Sequence, residues 1–164
     1  MLGLGDDRLS IYLNDHLAGA TVGANLARRA AGSNEGTGYG SVLEAIANEI
    51  EEDRAALVYV MQRLAVGHDH LKTALAWAAE RAGRFKLNGQ LLGYSPLSRL
   101  EEIETLSLGV EGKIALWRAL RSTHGSDPRL ADVDLDDLID RARSQRGRLE
   151  RLHARAADEA LTVE

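Results

Sequence analysis

The chain has 164 residues, no cysteine and a formal net charge of −5, from 25 acidic against 20 basic side chains. Without cysteine there are no disulfides, thiolate metal sites or cysteine nucleophiles, and the acidic balance argues against general nucleic-acid binding, which draws its affinity from neutralised phosphates. The length suits one domain over 1–164 that buries a core without covalent staples. No signal-peptide core stands near Met1, and no uncharged run approaches the roughly 20 residues of a membrane span. The expectation is a cytoplasmic protein with neither a membrane nor a nucleic-acid partner.

Five helix-length amphipathic segments follow one another, near 7–31, 40–66, 69–84, 95–122 and 132–161. Their apolar residues recur at intervals of three and four, which draws one stripe along each helix. The first helix carries Leu9, Leu13, Leu17, Ala20, Ala24 and Ala27, with Asp6 or Asp7 as its start and Gly32 as its end. Gly19 and Gly23 lie four apart on it, a small-residue face that lets another helix approach closely. A glycine-rich loop up to Gly40 leads to a second helix bearing Leu43, Ile46, Ile50, Leu57, Met61 and Leu64, closed by Gly67. Ser41 with Glu44, and Ser98 with Glu101, have the spacing of a reciprocal capping box.

Asp69 starts a short third helix whose Trp77 follows Leu71 and Ala74 into the core. The stretch Arg81 to Gly93 reads as a basic, flexible loop in which Arg84 and Lys86 are candidates for an anion or partner contact. Ser95 and Pro96 announce the fourth helix, since proline at the first helical position loses only an N–H that has no helical partner. Leu100, Ile103, Val110, Ile114 and Trp117 form its stripe. The fifth, started from the cluster Asp132, Asp134, Asp136 and Asp137, carries Leu135, Leu138, Ala142, Leu149, Leu152 and Ala156. No segment alternates with period two for long enough to make a strand, so the fold class is all-α.

Charge is unevenly spread. The fifth helix concentrates arginine, with Arg141, Arg148 and Arg155 seven apart on one stripe, while the second holds Glu44, Glu49, Glu51, Glu52 and Asp53. Such runs form solvated faces or ion pairs between helices; the arginine stripe otherwise suits an acidic protein or a second copy of this chain. Asp53 is in register with Ile46, Ile50 and Leu57 and so faces inward, where an isolated charge is very costly. His16, beside Leu13 and Leu17, is its expected partner in a buried polar pair, with Arg54 or an arginine of the fifth helix as the other choices.

Two long helices joined by a short glycine-rich loop, then a connection from Val66 to Tyr94 holding a short helix, then a second long pair: this layout resembles the ferritin-like superfamily. The chain is also similar to a group of actinobacterial helical proteins in Tyr12-Leu13-Asn14-Asp15-His16 and Ser95-Pro96-Leu97-Ser98-Arg99, a likeness that implies no activity. The resemblance implies an up-down bundle of four long helices with a short helix in the crossover. Metal-binding members use a carboxylate from each of two helices and a Glu-x-x-His pair from each of the other two. Here there is one such pair, Glu150 and His153; Glu49, Glu104 and Glu150 share a level along the bundle, where the first helix offers only small residues. The ligands implied for iron or manganese are therefore Glu49, Asp53, Glu104, Glu150 and His153, with His16 a weaker sixth.

His68-Asp69-His70 does not fix a tetrahedral site, because its loop position makes Asp69 a helix cap. Gly36 to Gly40 lacks both the preceding strand and the Lys-Ser/Thr pair of a phosphate loop, and no serine has a histidine and an acid arranged around it. The functional expectation is a non-catalytic bundle without cofactor that acts through protein association, as a homodimer burying part of the short helix or the glycine face of the first. The alternative is a non-haem iron or manganese carboxylate protein.

Overall fold

In the computed structural model each of the five spans is α-helix: α1 (Leu4–Ser33), α2 (Gly40–Arg63), α3 (Leu71–Gly89), α4 (Pro96–His124) and α5 (Leu135–Leu161), with a 3-10 turn at Pro128–Leu130 before α5. The structure describes residues 4–68, 70–89 and 93–162, without the side chains of 4–7 and 81–89. Among the described residues there is no strand, and no helix is long and apolar enough to cross a membrane. Asp69 lies outside the described residues.

Bonds between helix ends set the directions. Asn14 near the start of α1 donates to the Gly67 carbonyl just past α2 (2.9 Å), and Arg63 at the end of α2 donates to the Arg129 carbonyl in the α4–α5 connection (2.7 Å). At the opposite end, Arg99 at the start of α4 donates to Asn34 just past α1 (2.6 Å) and to Glu159 near the end of α5 (2.9 Å). Thus α1 and α5 run one way and α2 and α4 the other, with α3 carrying the chain back along the bundle. α1 packs against α2, α4 and α3, while α5 packs mainly against α4 and reaches α2 through ion pairs.

The stripes read from the sequence become the core. Every apolar residue assigned to the stripes of α2, α4 and α5 is buried, as are Leu13, Leu17, Ala24 and Ala27 of α1. They form two clusters. One, toward the α1–α2 loop, includes Leu43, Ile46, Ile103, Val110 and Leu149; the other, toward the α4–α5 connection, includes Leu17, Leu57, Met61, Trp117 and Ile139.

Several terminators differ from the sequence reading. Ser95 caps α4 as expected, its hydroxyl accepting from the Ser98 N–H (3.1 Å), and Asp134 caps α5 by accepting from Asp137 (2.9 Å). Ser98 is thus held by a cap instead of being one. The residue before α2 is Tyr39, with no side-chain cap, so Ser41 lies inside the first turn. Gly40 stands there because a Cβ would sit 2.4 Å from the Asn34 carbonyl oxygen. α1 runs through Gly32, and the left-handed residue of its loop is Gly36 (φ 75°). α2 is closed not by Gly67 but by Ala65 at φ 59°, which donates to Gln62 while Val66 donates to Met61 (2.8 Å), the two bonds of a Schellman ending. α3 continues to Gly89, so Arg84 and Lys86, expected in a loop, belong to a helical backbone; their side chains lie outside the description.

An alanine held left-handed carries a steric cost that glycine lacks. Ala65→Gly is expected to raise the unfolding free energy by about 1 kcal/mol, read as a higher urea midpoint at unchanged slope.

Candidate functional site

Between the two apolar clusters lies a polar layer centred on Asp53, whose residue is 2 % exposed. Its Oδ1 accepts from both Nε (2.8 Å) and a terminal nitrogen of Arg141, and its Oδ2 accepts from Lys113 Nζ (2.5 Å) and from the Gln145 amide (2.9 Å). Lys113 also donates to Gln145 Oε1 (2.5 Å), closing a ring of three side chains from α2, α4 and α5. Arg141 reaches on to Glu52 (3.4 Å), and Arg148 pairs with Glu49 one turn further along. Burial pulls the Lys113 ammonium below the ordinary lysine range, against the pull of Asp53, which favours the charged form. Burial alone would raise Glu49, but the bonds from Arg148 and Gln145 outweigh it and hold its carboxyl low.

Asp53 is therefore buried and paired as expected, but by Lys113, Arg141 and Gln145; the place assigned to His16 is taken by residues of α4 and α5. His16 sits across the same region on α1, its ring edge-on to Tyr12 (centroids 4.6 Å apart). Burial lowers its pKa, with Asp15 pulling weakly the other way. Lys113 and Gln145 escaped the sequence reading although both left a signal. Lys113 continues the line Val110, Trp117 at spacings of three and four, and Gln145 stands between Ala142 and Leu149 in the α5 stripe.

Of the implied metal ligands, His153 Nε2 and Glu104 meet each other (2.9 Å) as a half-exposed pair on the α4–α5 side, while Glu49 is engaged by Arg148 and Asp53 by two cations. Glu150 is exposed. Among the described residues no three such groups come together in a way that holds a metal ion. The arginine stripe likewise serves the bundle. Arg141 and Arg148 pair across to α2, and Arg155 lies over the Tyr39 ring (4.4 Å), as Arg99 does (4.5 Å), while bonding Glu159.

Beside the polar layer a cavity of about 340 Å³ lies between α1, α2 and α4, with Asp53, Lys113 and His16 on its walls. Gly19 and Gly23 of α1 and Gly109 and Gly112 of α4 also line it, and a Cβ added at any of the four would meet nothing within 4 Å. The glycines of α1 thus do not bring a helix close, as the sequence suggested; they leave space. Glycine inside a helix costs about 1 kcal/mol relative to alanine, so four of them forgo roughly 4 kcal/mol of helix stability with no tight contact in return. Trp117 packs against the cavity, and its wholly buried indole N–H has no hydrogen-bond partner among the described residues.

Asp53→Ala strips the counter-charge from a buried lysine and a half-buried arginine, and is expected to cost about 3 kcal/mol or more in urea unfolding. The neutral ring of His16 is favoured by folding, whereas the unfolded chain takes up a proton near pH 6.5. That stability is present above the unfolded value and is lost as pH falls through the lower folded one. Acidification from about pH 7.5 to about pH 5.5 should therefore lower the melting temperature, and His16→Gln should flatten that drop. Comparison of the chain with protein-family models, with curated proteins and with solved structures gives no match.

Proposed function

We propose that this chain is a ferritin-like bundle that acts as a non-catalytic scaffold through protein association, most simply as a homodimer. The observation that carries the reading is Trp77, which the periodicity assigned to the core and which is instead 58 % exposed on α3. An exposed tryptophan is an anchor of the kind that dominates association energies. α3 packs chiefly on α1, through residues such as Leu71 and Ala74, and this leaves its opposite face outside the bundle. The ferritin-like part of the reading rests on the paired long hairpins, the up, down, down, up order and the crossover that carries its own helix.

The centre of the bundle supports a structural role. Both oxygens of Asp53 are engaged by cations and an amide, so the carboxylate has no free lone pair aimed at a substrate or ion. A second copy meeting α3 at Trp77 would place two such faces together in an isologous contact, the commonest closed arrangement.

Light scattering on the full chain, from low to high micromolar concentration, tests the proposal. The expected result is a dimer that Trp77→Ser shifts to monomer, with helical content by circular dichroism unchanged. A strict monomer throughout the range, or a dimer indifferent to Trp77→Ser, contradicts it.

A further inference from the structure

We infer that a second copy docks by antiparallel pairing of α3 with its counterpart about a twofold axis at Ala76, so that Lys72 of each chain faces the partner's Glu80. This pairing rests on the association through α3 read above and gives that surface its geometry. Three features of the helix converge on it. The first is the side left uncovered. Leu71 packs on the core and Ala74 is buried, whereas Lys72, Thr73, Ala76, Trp77, Ala79 and Glu80 are exposed and share the opposite side of the helix.

The second is where the charges stand on that side. At 3.6 residues per turn, Lys72 and Glu80 lie about 40° to either side of Ala76 and about 6 Å before and after it along the axis. In an isologous contact each residue of one chain meets the same partner residue that it is met by. A twofold axis at Ala76 therefore carries the position four residues before it onto the position four residues after it in the other chain, and sets lysine against glutamate twice. A parallel pairing of the same two helices opposes Lys72 to lysine and Glu80 to glutamate, and like charges brought together at an interface are costly. The charge pattern thus selects the antiparallel arrangement and fixes its register.

The third is size. The distance between two packed helices follows the side chains at their contact, and the residue on the axis is alanine, with Ala79 keeping the next turn equally low. Trp77 stands about 100° round from Ala76, at the edge of the contact. The twofold keeps both tryptophans on the same side of the pair, offset along it by about 3 Å, so each indole covers the seam beside the other. A contact from Lys72 to Glu80 runs only about 12 Å along the helix, which places the dimer among weak, reversible associations of small area.

The test is light scattering on the full chain with charge reversals on α3, with helical content followed by circular dichroism. Lys72→Glu and Glu80→Lys each oppose like charges at both pairs, and each is expected to weaken the dimer by at least about tenfold. An equimolar mixture of the two variants makes every facing pair opposite again and is expected to restore the dimer. The chain has no cysteine, so single cysteines give a second readout. Ala76→Cys, on the axis, is expected to form a disulfide-linked dimer on mild oxidation; Thr73→Cys, set about 9 Å along the helix from its own copy, is not. Should a charge variant not fold, this cross-linking decides. Charge variants that dimerise as tightly as the unaltered chain, a mixture no tighter than its components, or equal cross-linking at 73 and 76 would each overturn the pairing, while loss of the dimer in Trp77→Ser would still uphold association through α3. A strict monomer, or a dimer indifferent to Trp77→Ser, removes both.

Discussion

One buried carboxylate organises this bundle. Asp53 carries a charge into a position where apolar residues precede and follow it on the same helix, and a charge taken out of water survives only when it is matched by opposite charge and saturated with hydrogen bonds. The match comes from α4 and α5 together, through Lys113, Arg141 and Gln145. Because each donor reaches the carboxylate at only one axial position, the three helices are fixed in register by one set of bonds. Apolar stripes alone tolerate a slip of a turn far more readily. Lysine suits the inner position, where a compact point charge faces two acceptors, and arginine suits the half-buried edge, where its fork spans Asp53 and Glu52.

The layer has a second consequence for packing. It divides the core into two apolar clusters, and at its own level α1 contributes Gly19, Ala20 and Gly23 while α4 contributes Gly109 and Gly112 beside Lys113. A cavity therefore opens beside the only charged part of the interior described. The bundle ends are tied independently of this layer. Asn14 ties the entry of α1 to the exit of α2, and Asn34, Arg99, Tyr39 and Arg155 tie the α1–α2 loop to α4 and α5. With both ends held, the middle can keep open space without the helices collapsing across it.

Helix number, helix order and nearly all of the core were legible in the sequence, because a stripe with period 3.6 registers burial whatever the partner helix is. Asp53 was legible for the same reason, as a charge standing on an apolar stripe. Its partners were harder. Lys113 and Gln145 occupy stripe positions, but periodicity gives no distance between helices and so does not rank a residue of α4 or α5 above His16 as the partner. Trp77 shows the converse: its register with Leu71 and Ala74 predicts a core position, yet a crossover helix packed mainly on α1 buries only a narrow face. Ala65 gives no signal at all, since the left-handed ending of α2 is dictated by the Gln62 and Met61 carbonyls and not by a residue type that favours it. The open space beside Gly19 and Gly23 was likewise invisible, because the same glycines on a sequence suit close approach and vacancy equally.

The measurement that tests this account most directly is a double-mutant cycle at the centre of the layer, with Asp53→Asn, Lys113→Met and their combination followed by urea unfolding. If the carboxylate and the ammonium sustain one another, each single change strands a buried polar partner and the combined change costs less than the two together by more than about 1 kcal/mol. Additive costs, within about 0.5 kcal/mol, would mean that the two groups do not depend on each other, and the central role given to Asp53 would fail.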